Sequence, residues 1–193
     1  MSHVRYKNIC IRGICDTNVL AGATAGAQVL SRLIELLGSP TQLTVVYLDF
    51  SAVDVATSSF LRECVVGFRN YCRRSRPEAY PVPANLNSEV SEELGDLMRS
   101  MNDAFVCCDL TNGGIATDPI VLGRLDEKQL VALNAIAERG EATAKELRNT
   151  EDVGTTAWNN RLVSLADKGL LIERKIGRTN KYSLVLEGLN YGP

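Results

Sequence analysis

The chain holds one histidine, His3, and one tryptophan, and none of its six cysteines forms a C-x-x-C pair. The usual zinc sets are therefore short of ligands. The same shortage weakens any Ser-His-Asp or Cys-His catalytic arrangement. No catalytic centre, metal or cofactor is expected. Long hydrophobic runs are also missing: the longest, such as Leu43–Leu48, are strand-sized, well short of the roughly 20 apolar residues of a membrane span. The opening MSHVRYKNIC has no long apolar stretch behind its basic residues, so no secretory signal is expected. A soluble, cytoplasmic protein without membrane contact is the expectation. Nor does charge of one sign dominate, since the formal net charge is −2.

What remains is ordinary globular composition, with 45% apolar and 23% charged residues. A length of 193 residues suits one large domain or two modest ones. Cys10, Cys15, Cys64, Cys72, Cys107 and Cys108 read as structural thiols, most of them in apolar or helical patterns.

Two rhythms divide the chain. Residues 1–122 alternate strands and helices. Strands are expected at Asn8–Cys15, Leu43–Leu48, Val82–Leu86 and Ala104–Leu110. Helices are expected at Ala21–Leu37, Thr57–Cys72 and Glu89–Met101. Arg76–Pro83 reads as a proline-rich turn, and Ile115–Leu122 as a last strand or a linker. This alternation predicts an α/β (α+β) layer fold, with helices on one face of a mixed sheet. From Leu125 the pattern becomes helix, helix, helix, hairpin: Leu125–Arg139 capped by Asp126, Ala142–Asn149, Thr155–Lys168 closed by Gly169, then strands Leu170–Lys175 and Lys181–Leu186. The expected division is 1–118 and 119–193.

In the second segment, Ala157-Trp158-Asn159-Asn160-Arg161-Leu162-Val163-Ser164-Leu165-Ala166-Asp167-Lys168-Gly169-Leu170-Leu171-Ile172 runs from an amphipathic helix through a glycine cap into a strand. It resembles the end of the recognition helix in winged helix-turn-helix transcriptional regulators, and the likeness covers Leu125–Leu186. The resemblance implies that Thr155, Thr156, Asn159, Asn160 and Arg161 face double-stranded DNA. Arg174, Lys175, Arg178 and Lys181 would join them from the hairpin. Trp158 is expected in the core. Charge agrees with this face: residues 155–186 hold six basic and two acidic side chains, whereas residues 1–122 hold ten and thirteen.

In the first segment, Leu48-Asp49-Phe50-Ser51-Ala52-Val53-Asp54-Val55-Ala56-Thr57-Ser58-Ser59-Phe60 resembles the strand–loop–helix of STAS-like domains, the fold of anti-sigma factor antagonists. In that family a serine at the start of this helix is phosphorylated by a partner kinase, which controls partner binding, and Ser58 falls there. A helix N-terminus suits an anion. However, the family's usual D-S-[ST]-G reads Thr57-Ser58-Ser59-Phe60 here, without the aspartate or the glycine. The plainer reading is that Thr57 or Ser58 caps the helix while Phe60 anchors it; the alternative makes Thr57, Ser58 and Ser59 part of a partner surface.

Other features have bland expectations. Small residues in Gly22–Ala27 are expected to allow close helix–sheet packing, since no Walker or G-x-G-x-x-G pattern is present. Arg69, Arg73, Arg74 and Arg76 read as a solvated helix end, and Glu92-Glu93 as solvent-facing. Together these point to a DNA-binding regulator, homodimeric because paired winged helices read a palindrome. Two alternatives stay open: a protein-binding adaptor of the antagonist type, and a sensor binding a nucleotide beside residues 16–27.

Overall fold

The structure, a computed structural model, describes residues 4–148 and 153–189. His3 and Asn149, the expected end of the second C-terminal helix, lie outside the described residues.

Five strands form the central sheet in the order β1-β3-β5-β6-β7. They are β1 (Arg5–Cys10), β3 (Thr44–Asp49), β5 (Ala79–Ala84), β6 (Ala104–Leu110) and β7 (Ala116–Gly123). The first four are parallel and β7 is antiparallel to β6, so the sheet is mixed. A short parallel pair, β2 (Val19–Leu20) with β4 (Val55–Ala56), sits beside it. The parallel strands follow one another across the sheet in chain order. Right-handed crossovers stepping always the same way must place every helix on the same face. Accordingly α2 (Ala23–Leu37), α3 (Ser58–Leu61), a π-helical turn (Arg62–Val66), α4 (Gly67–Ser75) and α5 (Ser88–Ser100) share one core with Val46, Leu48, Phe105 and Cys107. The π-helical turn carries Cys64, Val65 and Val66, all three buried.

That winding leaves the other face of the sheet bare, and a parallel sheet needs cover on both sides. The C-terminal segment supplies it. Val45, Tyr47, Tyr80, Val82 and Val106 belong to one continuous buried cluster with Trp158, Leu162, Leu165, Ile172 and Tyr182. The segment comprises α6 (Glu127–Arg139), β8 (Glu141–Thr143), α7 (Ala144–Leu147), α8 (Thr155–Asp167), β9 (Leu171–Ile176) and β10 (Thr179–Leu184). Its strands form an antiparallel sheet in the order β8-β10-β9. Asp126 and Gln129 make a reciprocal capping box at the start of α6, as do Thr143 and Glu146 at α7.

Several expectations change. Residues Arg12–Cys15, expected in the first strand, form the helical turn α1. Strand β5 begins at Ala79, inside the stretch expected as a turn, and contains both Pro81 and Pro83. Thr44 N–H and Phe50 N–H donate to the Glu78 and Ala84 carbonyls, so even-numbered residues of β5 bond to β3. Both prolines therefore direct their missing donors toward β6, where a single pair, Ala84 with Cys108, is registered. The whole ladder to β3 survives. The expected helix at Ala142–Asn149 is a strand followed by one helical turn. Strand β7 crosses the expected division at 118 and stays in the central sheet to Gly123.

Candidate nucleic-acid interface

Helix α8 buries Trp158, Leu162, Leu165 and Ala166 along one side. On its other side Thr156, Asn159 and Asn160 are exposed, and Thr155 is half-buried. Arg161 is half-buried too, its guanidinium 5.1 Å from the centre of the Trp158 ring. The helix begins at Gly154 without a side-chain cap. It ends at Gly169, whose φ of +78° lets Gly169 N–H and Leu170 N–H donate back to the Ala166 and Leu165 carbonyls.

The hairpin separates its cations into two groups. Lys175 and Arg178 are exposed at its tip, beside Ile176. Arg174 and Lys181 face each other across β9 and β10, and both ion-pair with Glu141 of β8, Arg174 at 2.7 Å. The hydrogen bond from Lys181, working against slight desolvation, and the charges of Lys181 and Arg174 hold the Glu141 carboxyl below its ordinary pKa. Lys168, one of the six local cations, leaves this face altogether. It donates to Asp103 at 3.1 Å and to the Asn102 carbonyl.

The three residues of the other candidate surface meet at the start of α3. Thr57 Oγ1 accepts from Phe60 N–H and from Gly22 N–H, and lies 3.1 Å from Ser59 Oγ. Phe60 is fully buried. Ser58 N–H donates to a Glu93 carboxylate oxygen at 2.8 Å. Glu93 is thus no plain solvent-facing residue; it fills the place an incoming anion would take. Gly26 explains the small-residue stretch: a Cβ there would come within 2.7 Å of the Phe60 carbonyl oxygen. The close approach is between helices α2 and α3, rather than between helix and sheet.

Sequence reasoning missed the seam joining the C-terminal segment to the sheet. Arg69 is not solvated but 4% exposed. It donates to Asp103, to the Ala104 carbonyl at 2.9 Å and to the Lys168 carbonyl at 3.3 Å. Burial opposes charge on Asp103, but Arg69's charge and hydrogen bond, the Ala104 N–H and Lys168 together hold its pKa below the ordinary value. Arg73 reaches Asp167 at 3.3 Å and Glu173 at 3.9 Å. Glu173 N–H donates to the Tyr80 hydroxyl, and its carboxylate accepts from Asn180 and Tyr182. Arg76 turns to the Gly38 carbonyl instead. An arginine cluster at a helix end carries no local sign of such distant partners.

Cys64, Cys72, Cys107 and Cys108 are buried, as structural thiols should be, whereas Cys10 is exposed. Desolvation pushes Cys72 and Cys108 up to about 12, so both stay protonated at neutral pH. Among the described residues no group of His, Cys, Asp and Glu could hold a metal ion, and no helix is long and apolar enough to cross a membrane. No family model matches the chain, and no curated protein matches it.

Proposed function

We propose that the chain is a DNA-binding transcriptional regulator, with a winged helix-turn-helix in residues 119–193 and a STAS-like domain in residues 1–118. The observation that carries the reading is the element order α6-β8-α7-α8-β9-β10 with strands arranged β8-β10-β9, the layout of a winged helix. In that layout α8 is the helix that enters the major groove. Its polar side, Thr156, Asn159 and Asn160, is exposed. Asparagine suits adenine edges, and the exposed Lys175 and Arg178 of the wing suit phosphates. Thr155 and Arg161 lie at the margin of this face. Arg174 and Lys181 reach DNA only by sharing or leaving Glu141.

One winged helix reads few base pairs, so the protein works as a homodimer on a palindrome. The STAS-like domain receives the signal, binds a partner or dimerises, and no chemistry is assigned to it. Selection of bound fragments from a random DNA pool tests the reading. Expected are enriched sites with two-fold symmetry and half-sites about 10 base pairs apart, or a multiple of that. Affinity should fall steeply with added salt. Failure to enrich any sequence, or binding indifferent to salt, sinks it.

The engagement of Arg174 and Lys181 by Glu141 favours a second reading, a protein-docking adaptor whose hairpin charge is already balanced. A pull-down with Lys175 and Arg178 neutralised separates the two. DNA binding weakens about tenfold on that change, while docking through apolar surface is unaffected.

A further inference from the structure

The central sheet ends in two edge strands, β1 and β7, and they are finished differently. Strand β7 carries Pro119, a left-handed Asp118 at φ +48° and a register shift against β6 between Cys107 and Asp109. Prolines and bulges are ways in which a sheet edge refuses another strand. Strand β1 has neither, and its register with β3 runs unbroken from Arg5 to Cys10. Arg5 N–H and Ile11 N–H donate to the Leu43 and Asp49 carbonyls, so the odd-numbered residues of β1 bond to β3. The N–H and C=O groups of Tyr6, Asn8 and Cys10 therefore point outward, and among the described residues no strand pairs with them. Lysine commonly guards such an edge, but Lys7 donates to the Leu36 carbonyl on the last turn of α2. Apolar surface flanks the edge on both faces. Tyr6, stacked against Tyr47 on the side of the C-terminal segment, is 61% exposed, and Leu36, on the side of α2, is 47% exposed.

We propose that β1 pairs antiparallel with β1 of a second copy of the chain, joining the two central sheets into one across a two-fold axis. This names the interface of the homodimer proposed above, and its bearing on DNA rests on that reading. A two-fold that pairs antiparallel strands stands perpendicular to the sheet and keeps its faces. Helices α2 to α5 of both copies then share one face, and both C-terminal segments, with their α8 helices, share the other. Two half-sites on one side of a duplex require that arrangement. Keeping faces also pairs residues of like parity, so the axis passes through a residue. Through Lys7 it would set Lys7 against the partner's Lys7, like charges directly opposed. Through Asn8 it sets Arg5 against the partner's Ile11, Lys7 against the partner's Ile9 and Tyr6 against the partner's Cys10, and no like charges meet. The two Asn8 residues then exchange backbone hydrogen bonds on the axis, as Tyr6 and Cys10 do on either side. This self-match is what singles out a second copy: one register opposes no like charges and uses every outward N–H and C=O of the strand.

The test uses the full chain without DNA. Analytical sedimentation should show a dimer that dissociates on dilution. Amide hydrogen exchange of the wild type, read at both ends of that dilution, should slow at Tyr6, Asn8 and Cys10 only in the dimer, and be slow at Lys7 and Ile9 throughout. Asn8→Pro removes one outward donor and leaves the ladder to β3 whole, as Pro81 and Pro83 do in β5. It should raise the dimer Kd at least about tenfold with an unchanged circular dichroism spectrum. Asn8→Cys in a Cys10→Ser background should be crosslinked to the dimer mass by dibromobimane, because paired residues on the axis have Cα atoms about 5.5 Å apart; Cys10→Ser alone should not. Should Asn8→Pro fail to fold, exchange and crosslinking decide. A chain monomeric up to about 100 μM, a dimer whose three outward amides exchange as fast as in the monomer, indifference to Asn8→Pro, or no crosslink through Asn8→Cys overturns the proposal. A dimer so paired that selects no DNA removes the regulator reading and leaves the interface. Palindromic sites enriched while the β1 amides stay unprotected remove the interface alone.

Discussion

Helices α3 and α8 both begin with hydroxyl residues, yet one start is closed and the other open. At α3 the Thr57 hydroxyl accepts from two backbone N–H groups, and Glu93 takes the N–H of Ser58. The positive end of that helix has already found its anion within the fold. At α8 the N-cap is Gly154, which offers no side-chain acceptor, and the polar side of the following turns is exposed. Gly154 itself brings no side-chain oxygen to the first N–H groups of α8, and a helix start of that kind can meet a phosphate. The difference is one of partners, not composition. Hydroxyls at a helix start say little until it is known what else reaches that start.

The sharpest way to break this comparison is to release α8 from the seam that orients it. Arg69 is buried and bridges Asp103 to the Lys168 carbonyl at the far end of α8. Arg69→Ala leaves Asp103 with less positive charge in a half-buried place, and should destabilise the protein by about 3–5 kcal/mol in urea unfolding. The loss should shrink in acid. Asp103 titrates below its ordinary value when folded, so its contribution is complete above the unfolded pKa and disappears as pH falls through the folded one. Wild type and variant stability should converge over that range. Unchanged unfolding at neutral pH would mean that the apolar cluster alone holds the C-terminal segment in place.

A second perturbation tests whether the start of α8 works with the β9–β10 hairpin. Replacing Lys175 and Arg178 together by alanine should weaken DNA binding about tenfold at moderate salt, with little preference among sequences. The slope of log affinity against log salt should fall by about 2, one unit for each phosphate contact. Melting temperature should not move, because both side chains are exposed. An unchanged slope would place the DNA contact elsewhere and leave the hairpin a solvated one.

Elements with strong local period were legible before any coordinates. The stripe Trp158, Leu162, Leu165 and the cap at Gly169 mark α8, and Asp126 marks the start of α6. The features that decide the comparison were not, because each depends on residues far apart in sequence. Ser58 meets Glu93 across 35 positions, and Arg69 meets Lys168 across 99. Strand β8 is three residues, Glu-Ala-Thr, with no period of its own; pairing with β10 creates it. Pro81 and Pro83 read as turn formers because a proline removes a donor. Here every missing donor faces β6, so the strand forms anyway. For the same reason, the candidate DNA residues were legible as types, but their division into exposed Lys175 and Arg178 and bridged Arg174 and Lys181 was not.

The finest perturbation exchanges the two helix starts. Thr57→Ala removes the cap of α3 and should lower stability by about 1 kcal/mol. It touches none of the residues proposed to face DNA, so affinity for DNA should stay as it was. Gly154→Asp does the opposite at α8. It adds an acceptor where glycine is already tolerated, so stability should rise by only a few tenths of a kcal/mol. The same carboxylate would stand at the helix end proposed to meet phosphate, and DNA binding should weaken well beyond what so small a stability change implies. Thermal unfolding and a DNA titration of both variants read the four outcomes together. Should Gly154→Asp stabilise the helix while leaving DNA affinity intact, the open end of α8 is simply an uncapped helix, and the contrast with α3 has no bearing on DNA.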